Sequence, residues 1–182
     1  MESSIIISGF GGQGVLFAGQ LLAYAGMDEG RHVTWIPSYG PEMRGGTAHC
    51  TVIISDETIG APTVARPDIA VAFNLPSYDK YESLVKPGGL LVVNSSLVER
   101  QSSRADIDVV YVPANGIAEE WGTAKMMNMA AVGAMLASRP VLPLEAVEQA
   151  LIDHLPATKQ HLIEANRQVI RHGFRVGAPA HV

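Results

Sequence analysis

For its first two thirds the chain alternates short apolar runs with glycine- and proline-marked breaks, and after that it settles into longer apolar–polar periodicity. Residues 5–8, "IIIS", form a continuous β-branched run, the pattern of a strand buried on both faces in a parallel sheet covered by helices. From about 13 to 30 the composition turns helical, with an apolar stripe at Leu21, Leu22 and Ala25. Further strands are predicted at 32–36, 48–55, 68–74, 88–94 and 109–114, and "SYDKYESLV" reads as a short helix between the fourth and fifth of the six strands. Three helices follow, at about 125–137, 144–153 and 158–172, with Pro143 suited to a first helical position and Gly173 to a C′ position. "VERQSSRADID" is the expected flexible surface connection. A βα-rich beginning and an α-rich end predict one domain over 1–182, of class α/β, with a Rossmann-like, mostly parallel sheet covered by helices and a helical C-terminal section.

Composition narrows the function. At 182 residues the chain can bury a core without staples. Asp plus Glu outnumber Lys plus Arg by 18 to 13, so no broad electrostatic footprint for nucleic acid is expected. The single cysteine, Cys50, cannot by itself make a disulfide, a thiolate zinc site or an iron–sulfur cluster, and the six histidines show no metal spacing. "MESSIIISG" has an acidic start and a very short apolar run, unlike a secretory signal, so a cytoplasmic protein is expected.

Two stretches carry candidate chemistry. Residues 9–14, "GFGGQG", join a predicted strand to a predicted helix, and such a turn exposes unpaired backbone N–H groups at the positive end of the helix dipole. Gly9, Gly11, Gly12 and Gly14 remove the side chains that would keep an anionic group away. Dinucleotide binding also expects an acid ending the second strand, about 20 residues on. That strand instead runs into Pro37 and Ser38, and the next acid, Glu42, lies inside the following loop. No Lys-Ser or Lys-Thr pair completes a phosphate loop either. The glycines thus serve an anion site or simply allow tight strand-to-helix packing. The second stretch, "PSYGPEMRGG", is long for a strand-to-helix connection. It presents Tyr39, Glu42, Met43 and Arg44 between Gly40, Pro41, Gly45 and Gly46, and the Arg44 fork suits carboxylate or phosphate. A plain Glu42–Arg44 surface pair is the alternative.

"SGFGGQGVLFAGQLLAYAG", "PSYGPEMRGGTAHCTVIISDETIGAP", "RPDIAVAFNLPSYDKYESLVKPGGLLVVNSS" and "EANRQVIRHGF" together resemble the gamma subunit of 2-oxoacid:ferredoxin (acceptor) oxidoreductases, in order over nearly the whole chain. The loop version "SYGPEMRGGTA" is most similar to the 2-oxoglutarate type. The resemblance implies a complex that decarboxylates a 2-oxoacid and forms the acyl-CoA, with thiamine diphosphate, Mg and iron–sulfur clusters on partner subunits and ferredoxin or another acceptor taking the electrons. Its alpha, beta and ferredoxin-like delta subunits are the implied partners, and an isolated chain could pair with itself. On this resemblance the chain supplies no catalytic or metal-binding residue. Gly9, Gly11, Gly12, Gln13, Gly14, Tyr39, Glu42, Arg44, Gly45 and Gly46 shape the substrate or CoA approach.

"MMNMAAVGAMLA", residues 126–137, is apolar all round except for Asn128, so it is a core helix or a subunit interface, and at twelve residues it cannot span a bilayer. In the last helix Asn166 lies one turn from Leu162 and Val169, and a buried amide there either ties down backbone or marks a contact. Met43, Met127, Asn128 and Asn166 are the subunit-contact candidates. Besides the oxidoreductase subunit, a stand-alone α/β nucleotide- or CoA-binding protein and a ligand-free assembly module fit the residues.

Overall fold

The computed structural model describes residues 1–38 and 47–178. Six strands, β1 (Glu2–Phe10), β2 (His32–Ser38), β3 (Thr47–Ser55), β4 (Ile69–Ala72), β5 (Leu90–Asn94) and β6 (Asp108–Val112), form one sheet in the order β2-β3-β1-β4-β5-β6. Strands β1, β4, β5 and β6 pair in parallel, and β4 and β5 in the middle are buried along their whole length, as apolar strands covered on both faces are. Strand β3 is antiparallel to both of its neighbours, so the sheet is mixed and β3 separates β2 from β1.

The helices are α1 (Val15–Asp28), α2 (Leu75–Tyr81), α3 (Ala114–Glu119), α4 (Met127–Ser138), α5 (Leu144–His154) and α6 (Ile163–Gly177). Helices α1, α3, α4, α5 and α6 pack on the face carrying Ile5, Ile7, Val71 and Val92, while α2 covers Ile6, Ala70 and Val93 on the other. The period-2 alternation of the strands thus feeds two cores, one thick and one thin.

Helix α4 is buried from Met127 to Leu136, as its all-round apolar sequence requires. It lies on α6 backbone to backbone. A Cβ on Gly173 would sit 2.0 Å from the Ala130 carbonyl oxygen, and one on Gly133 would sit 2.0 Å from that of Ile170. Gly173 is therefore an interior packing glycine and not the expected C′ residue; α6 runs on to Gly177, whose carbonyl accepts from Ser138 Oγ at 2.8 Å.

Three other expectations change. Pro143 is the N-cap of α5, one position before the predicted place. Helix α3 was not predicted, and residues 157–162 form a 3₁₀ turn leading into α6. The connection after β5 is anchored by Arg104, whose Nη1 donates to the carbonyls of Glu82 (2.7 Å) and Val85 (2.8 Å) while its fork grips Asp106. Backbone carbonyls at the end of the 3₁₀ turn 82–84 would otherwise lack partners, which is why this polar stretch is held to the body.

Candidate functional site

The carboxyl ends of β1, β4, β5 and β6 lie at one edge of the sheet, where α/β folds place their ligands. The order of strand addition reverses at β1: from it the chain passes to β2 and β3 on one side, and later to the parallel β4 on the other. The glycine turn sits at this switch point. Gly12 (φ 89°) and Gly14 (φ 73°) occupy the left-handed region that side chains disfavour. Gly9 serves differently, since a Cβ there would lie 2.6 Å from Gln13 Oε1 and 2.9 Å from Phe73 Cβ.

Gln13 folds back over that gap. Its Oε1 accepts the Phe10 N–H at 2.6 Å and an N–H of Asn74 at 3.4 Å, so the carbonyl end of the side chain braces the turn. Its Nε2 has no partner among the described residues. Helix α1 starts at Val15 with Gly14 as N-cap and no side-chain cap, leaving its first-turn N–H groups directed outward at the positive end of the helix dipole.

Around the turn stands a row of amides, of which sequence reasoning singled out only Asn128, and that as a subunit contact. Asn74 caps α2 through the Ser77 N–H at 2.9 Å. Asn94 donates to Phe73 O at 3.2 Å and to Asn115 Oδ1 at 2.9 Å, and its own Oδ1 accepts the Ser96 N–H at 3.2 Å. Asn128 Nδ2 donates to Gly14 O at 3.1 Å, tying α4 to the turn. The signal was present: "AVAFN", "LLVVN" and "YVPAN" each bring an asparagine just past the apolar run of β4, β5 or β6. Neutral amides both donate and accept, so they fix a polar ledge without adding charge.

The second motif reaches the same edge. Because β3 runs against β1, Thr47 pairs with Phe10, and Ser38 of β2 pairs with His49 of β3. The stretch between β2 and β3 is consequently a β-hairpin connection, not a strand-to-helix one; its β3 anchor, Thr47, lies beside the glycine turn, and its β2 anchor, Ser38, lies one strand further out. Tyr39, Glu42, Met43, Arg44, Gly45 and Gly46 themselves lie outside the described residues. His49 is half-buried near the Tyr81 ring, and burial followed by the Lys80 charge pushes its pKa below the usual imidazole value.

Of the remaining contact candidates, Met127 is buried inside the chain. Asn128 and Asn166 are buried too, but both line a cavity of about 870 Å³ that runs from Gly14 between α1 and α5, with Lys125 and Lys159 among its walls. Asn166 Nδ2 donates to Leu162 O at 2.8 Å, the backbone tie allowed for a buried amide.

Cys50, the sole thiol, offers the ledge no activated nucleophile. Cys50 is buried against α1, and burial pushes its thiol up to about 12, so it stays protonated. Among the described residues no group of three metal-ligating side chains occurs, and no helix is long and apolar enough to cross a membrane. What the edge can do is hold and orient an anionic or polar group.

These features define a Rossmann-like α/β domain whose carboxyl edge, among the described residues, gathers a glycine turn, a helix N-terminus and neutral amides. Its sequence matches the pyruvate ferredoxin/flavodoxin oxidoreductase family model over residues 4–176. The ketoisovalerate oxidoreductase subunit VorA of Methanothermobacter marburgensis is 46% identical over 136 residues, 75% of this chain and 28% of that protein. The 2-oxoglutarate synthase subunit KorC of Methanocaldococcus jannaschii is 34% identical over 97% of this chain and 94% of its own length. The keto/oxoacid ferredoxin oxidoreductase gamma subunit of Geobacter sulfurreducens superposes with a TM-score of 0.83 at 32% identity, covering 96% of this chain and 98% of that one. The chain belongs to the pyruvate ferredoxin/flavodoxin oxidoreductase family. It spans less than a third of the VorA relative's length.

Proposed function

We propose that this chain is the gamma subunit of a cytoplasmic 2-oxoacid:ferredoxin oxidoreductase complex acting on 2-oxoglutarate, and that its carboxyl-edge ledge shapes the approach of substrate or CoA. The observation that carries this reading is the nearly end-to-end match to a 2-oxoglutarate synthase subunit of the same size. The pairing of Thr47, where the 39–46 stretch rejoins the sheet, with Phe10 at the start of the glycine turn supports a single site.

The residues suit some of the expected groups and not others. One buried, protonated cysteine offers no ligand set for an iron–sulfur cluster, so the clusters, thiamine diphosphate and its Mg are assigned to the alpha, beta and delta subunits. Those groups supply decarboxylation and electron transfer. The outward N–H groups of α1 suit a phosphate or carboxylate, and the amide row orients a polar neighbour beside it. By its residue type Arg44 suits an anion, with Tyr39 and Glu42 shortly before it in sequence.

Native purification of the tagged full chain tests the reading. Recovery of a thiamine-diphosphate subunit and an iron–sulfur subunit, and ferredoxin or dye reduction by that complex with 2-oxoglutarate and CoA, are expected. Recovery of neither subunit overturns it in favour of the stand-alone nucleotide- or CoA-binding protein, and preference for another oxoacid in a substrate panel overturns the 2-oxoglutarate assignment alone.

A further inference from the structure

Nine large apolar side chains stand exposed among the described residues, and four of them follow the sheet. Phe10 ends β1, Leu75 lies three residues past β4, Leu97 three residues past β5, and Trp121 follows α3, which itself follows β6. Strands β1, β4, β5 and β6 are consecutive parallel neighbours about 4.8 Å apart, so Phe10, Leu75 and Leu97 follow the carboxyl ends of β1, β4 and β5 in strand order, and Trp121 comes nine residues past β6, beyond α3. Each is between 38% and 47% exposed. Leu75 and Leu97 also share a shallow depression of about 600 Å³ with Ser96, Glu99 and Arg100. The other five, Met1, Met27, Ile36, Ile152 and Val176, are scattered over a terminus, an edge strand and helix flanks, as single exposed apolar residues commonly are.

The row borders the ledge. Phe10 donates its N–H to Gln13, Leu75 follows Asn74, and Leu97 lies one residue past Ser96, whose Oγ accepts the Asn115 N–H at 3.2 Å. A ledge of glycines and neutral amides is useful only if a reactive centre is brought to it, and a partner that does so must cover this edge. The VorA relative shows what such a partner can be. There, sequence matching this chain accounts for 28% of one continuous polypeptide, so the rest is covalently attached to this domain.

The geometry points to the apolar row Phe10–Leu75–Leu97–Trp121 as the docking surface for a separate, larger subunit corresponding to the remainder of the VorA-type polypeptide. The inference rests on the gamma-subunit reading and replaces buried Met127 with a surface that is available to a partner. Apolar anchors at the centre with charged groups beside them, here Glu99 and the Arg100–Asp79 ion pair, give the usual arrangement of an energetic interface.

The test uses the full chain co-expressed with that larger subunit from the same organism. Leu97→Asp and Leu75→Asp are expected to weaken the complex about hundredfold or more, whereas Met27→Asp (60% exposed) and Ile152→Asp (38% exposed), both off the row, leave affinity unchanged. Should an aspartate variant fail to fold, Leu97→Ala and Trp121→Ala replace it, each expected to cost about tenfold or more. Hydrogen exchange on the wild-type complex should show protection gained at 10–14, 75–77 and 95–100. Row variants that bind like wild type, control variants that lose as much, or a row that instead closes a homodimer of this chain by sedimentation would each overturn the proposal. A wild-type chain that recovers no larger subunit instead refutes the gamma-subunit reading on which it rests.

Discussion

Asn128 Nδ2 donates to the Gly14 carbonyl at 3.1 Å across 114 residues of sequence, so the buried helix α4 holds the glycine turn in place. Gly14 is constrained twice there, by φ 73° and by the amide, since a Cβ would lie 2.4 Å from Asn128 Nδ2. Asn128→Ala is expected to cost about 1 kcal/mol by removing one hydrogen bond. Gly14→Ala is expected to cost more, about 1–2 kcal/mol for the left-handed backbone plus the clash. In the double variant the clash is gone, and the backbone cost and the missing hydrogen bond remain. A denaturant-melt double-mutant cycle should therefore show the double variant less destabilised than the sum of the singles by about 1 kcal/mol. Strict additivity would mean that the two residues do not meet in solution.

Gly173 and Gly116 should respond to the same substitution with opposite signs. A helical Gly→Ala change ordinarily gains about 1 kcal/mol. Nothing lies within 4 Å of a Cβ on Gly116, so Gly116→Ala should raise Tm slightly. At Gly173 the obstacle is the Ala130 backbone, which cannot rotate aside, so overpacking of about 2–3 kcal/mol outweighs the propensity gain. Thermal melts should show Gly173→Ala losing several degrees.

Asp68 gives stability a pH signature. Burial pushes its carboxyl up, but the hydrogen bonds from Lys86 (2.8 Å) and Ser4 together outweigh that and hold it below the usual carboxylate value. A depressed folded pKa stabilises the protein above the unfolded value of about 3.9, and the contribution is lost as pH falls from there through the folded pKa. Asp68→Asn should therefore lower Tm at pH 7, and the gap to wild type should narrow steadily below about pH 4. A gap of constant size from pH 7 to pH 3 would remove ionisation of Asp68 from the account.

Titrating the isolated chain with NAD by calorimetry should give no tight isotherm. The acid expected at the end of the second strand is missing, and β3 separates that strand from β1 and from the glycine turn. A clear NAD isotherm would overturn both arguments.

Arg44→Ala should lower the activity of the assembled complex by about tenfold or more, the loss of one charge-assisted contact to an anion, while the isolated chain keeps its melting temperature. Unchanged activity would return Arg44 to a surface pair with Glu42.

Local signals made much of this fold legible. The run at Ile5 to Ile7 announced β1, the glycine turn and the Leu21–Leu22–Ala25 stripe announced α1, and the all-apolar composition around Met129 announced a buried helix. The direction of β3 was not legible, because it depends on which distant strand pairs with it, and a continuous apolar run looks the same in either orientation. That one ambiguity made a hairpin look like a strand-to-helix loop. Gly173 misled for a related reason: its partner, Ala130, is 43 residues away, whereas a C-cap is judged from adjacent residues. Helix α3, six residues long, is too short to show a period. Within the site the glycines drew notice through their spacing, while Asn74, Asn94 and Asn115 are separated in sequence and meet only because parallel strands end at one edge.

Because β3 runs back against both β2 and β1, the chain leaves the sheet at Ser38 and re-enters it on the adjacent strand at Thr47, opposite Phe10. On the proposed function, exchanging the eight consecutive residues between those two points is the way to retune oxoacid preference while the two buried layers keep their sequence.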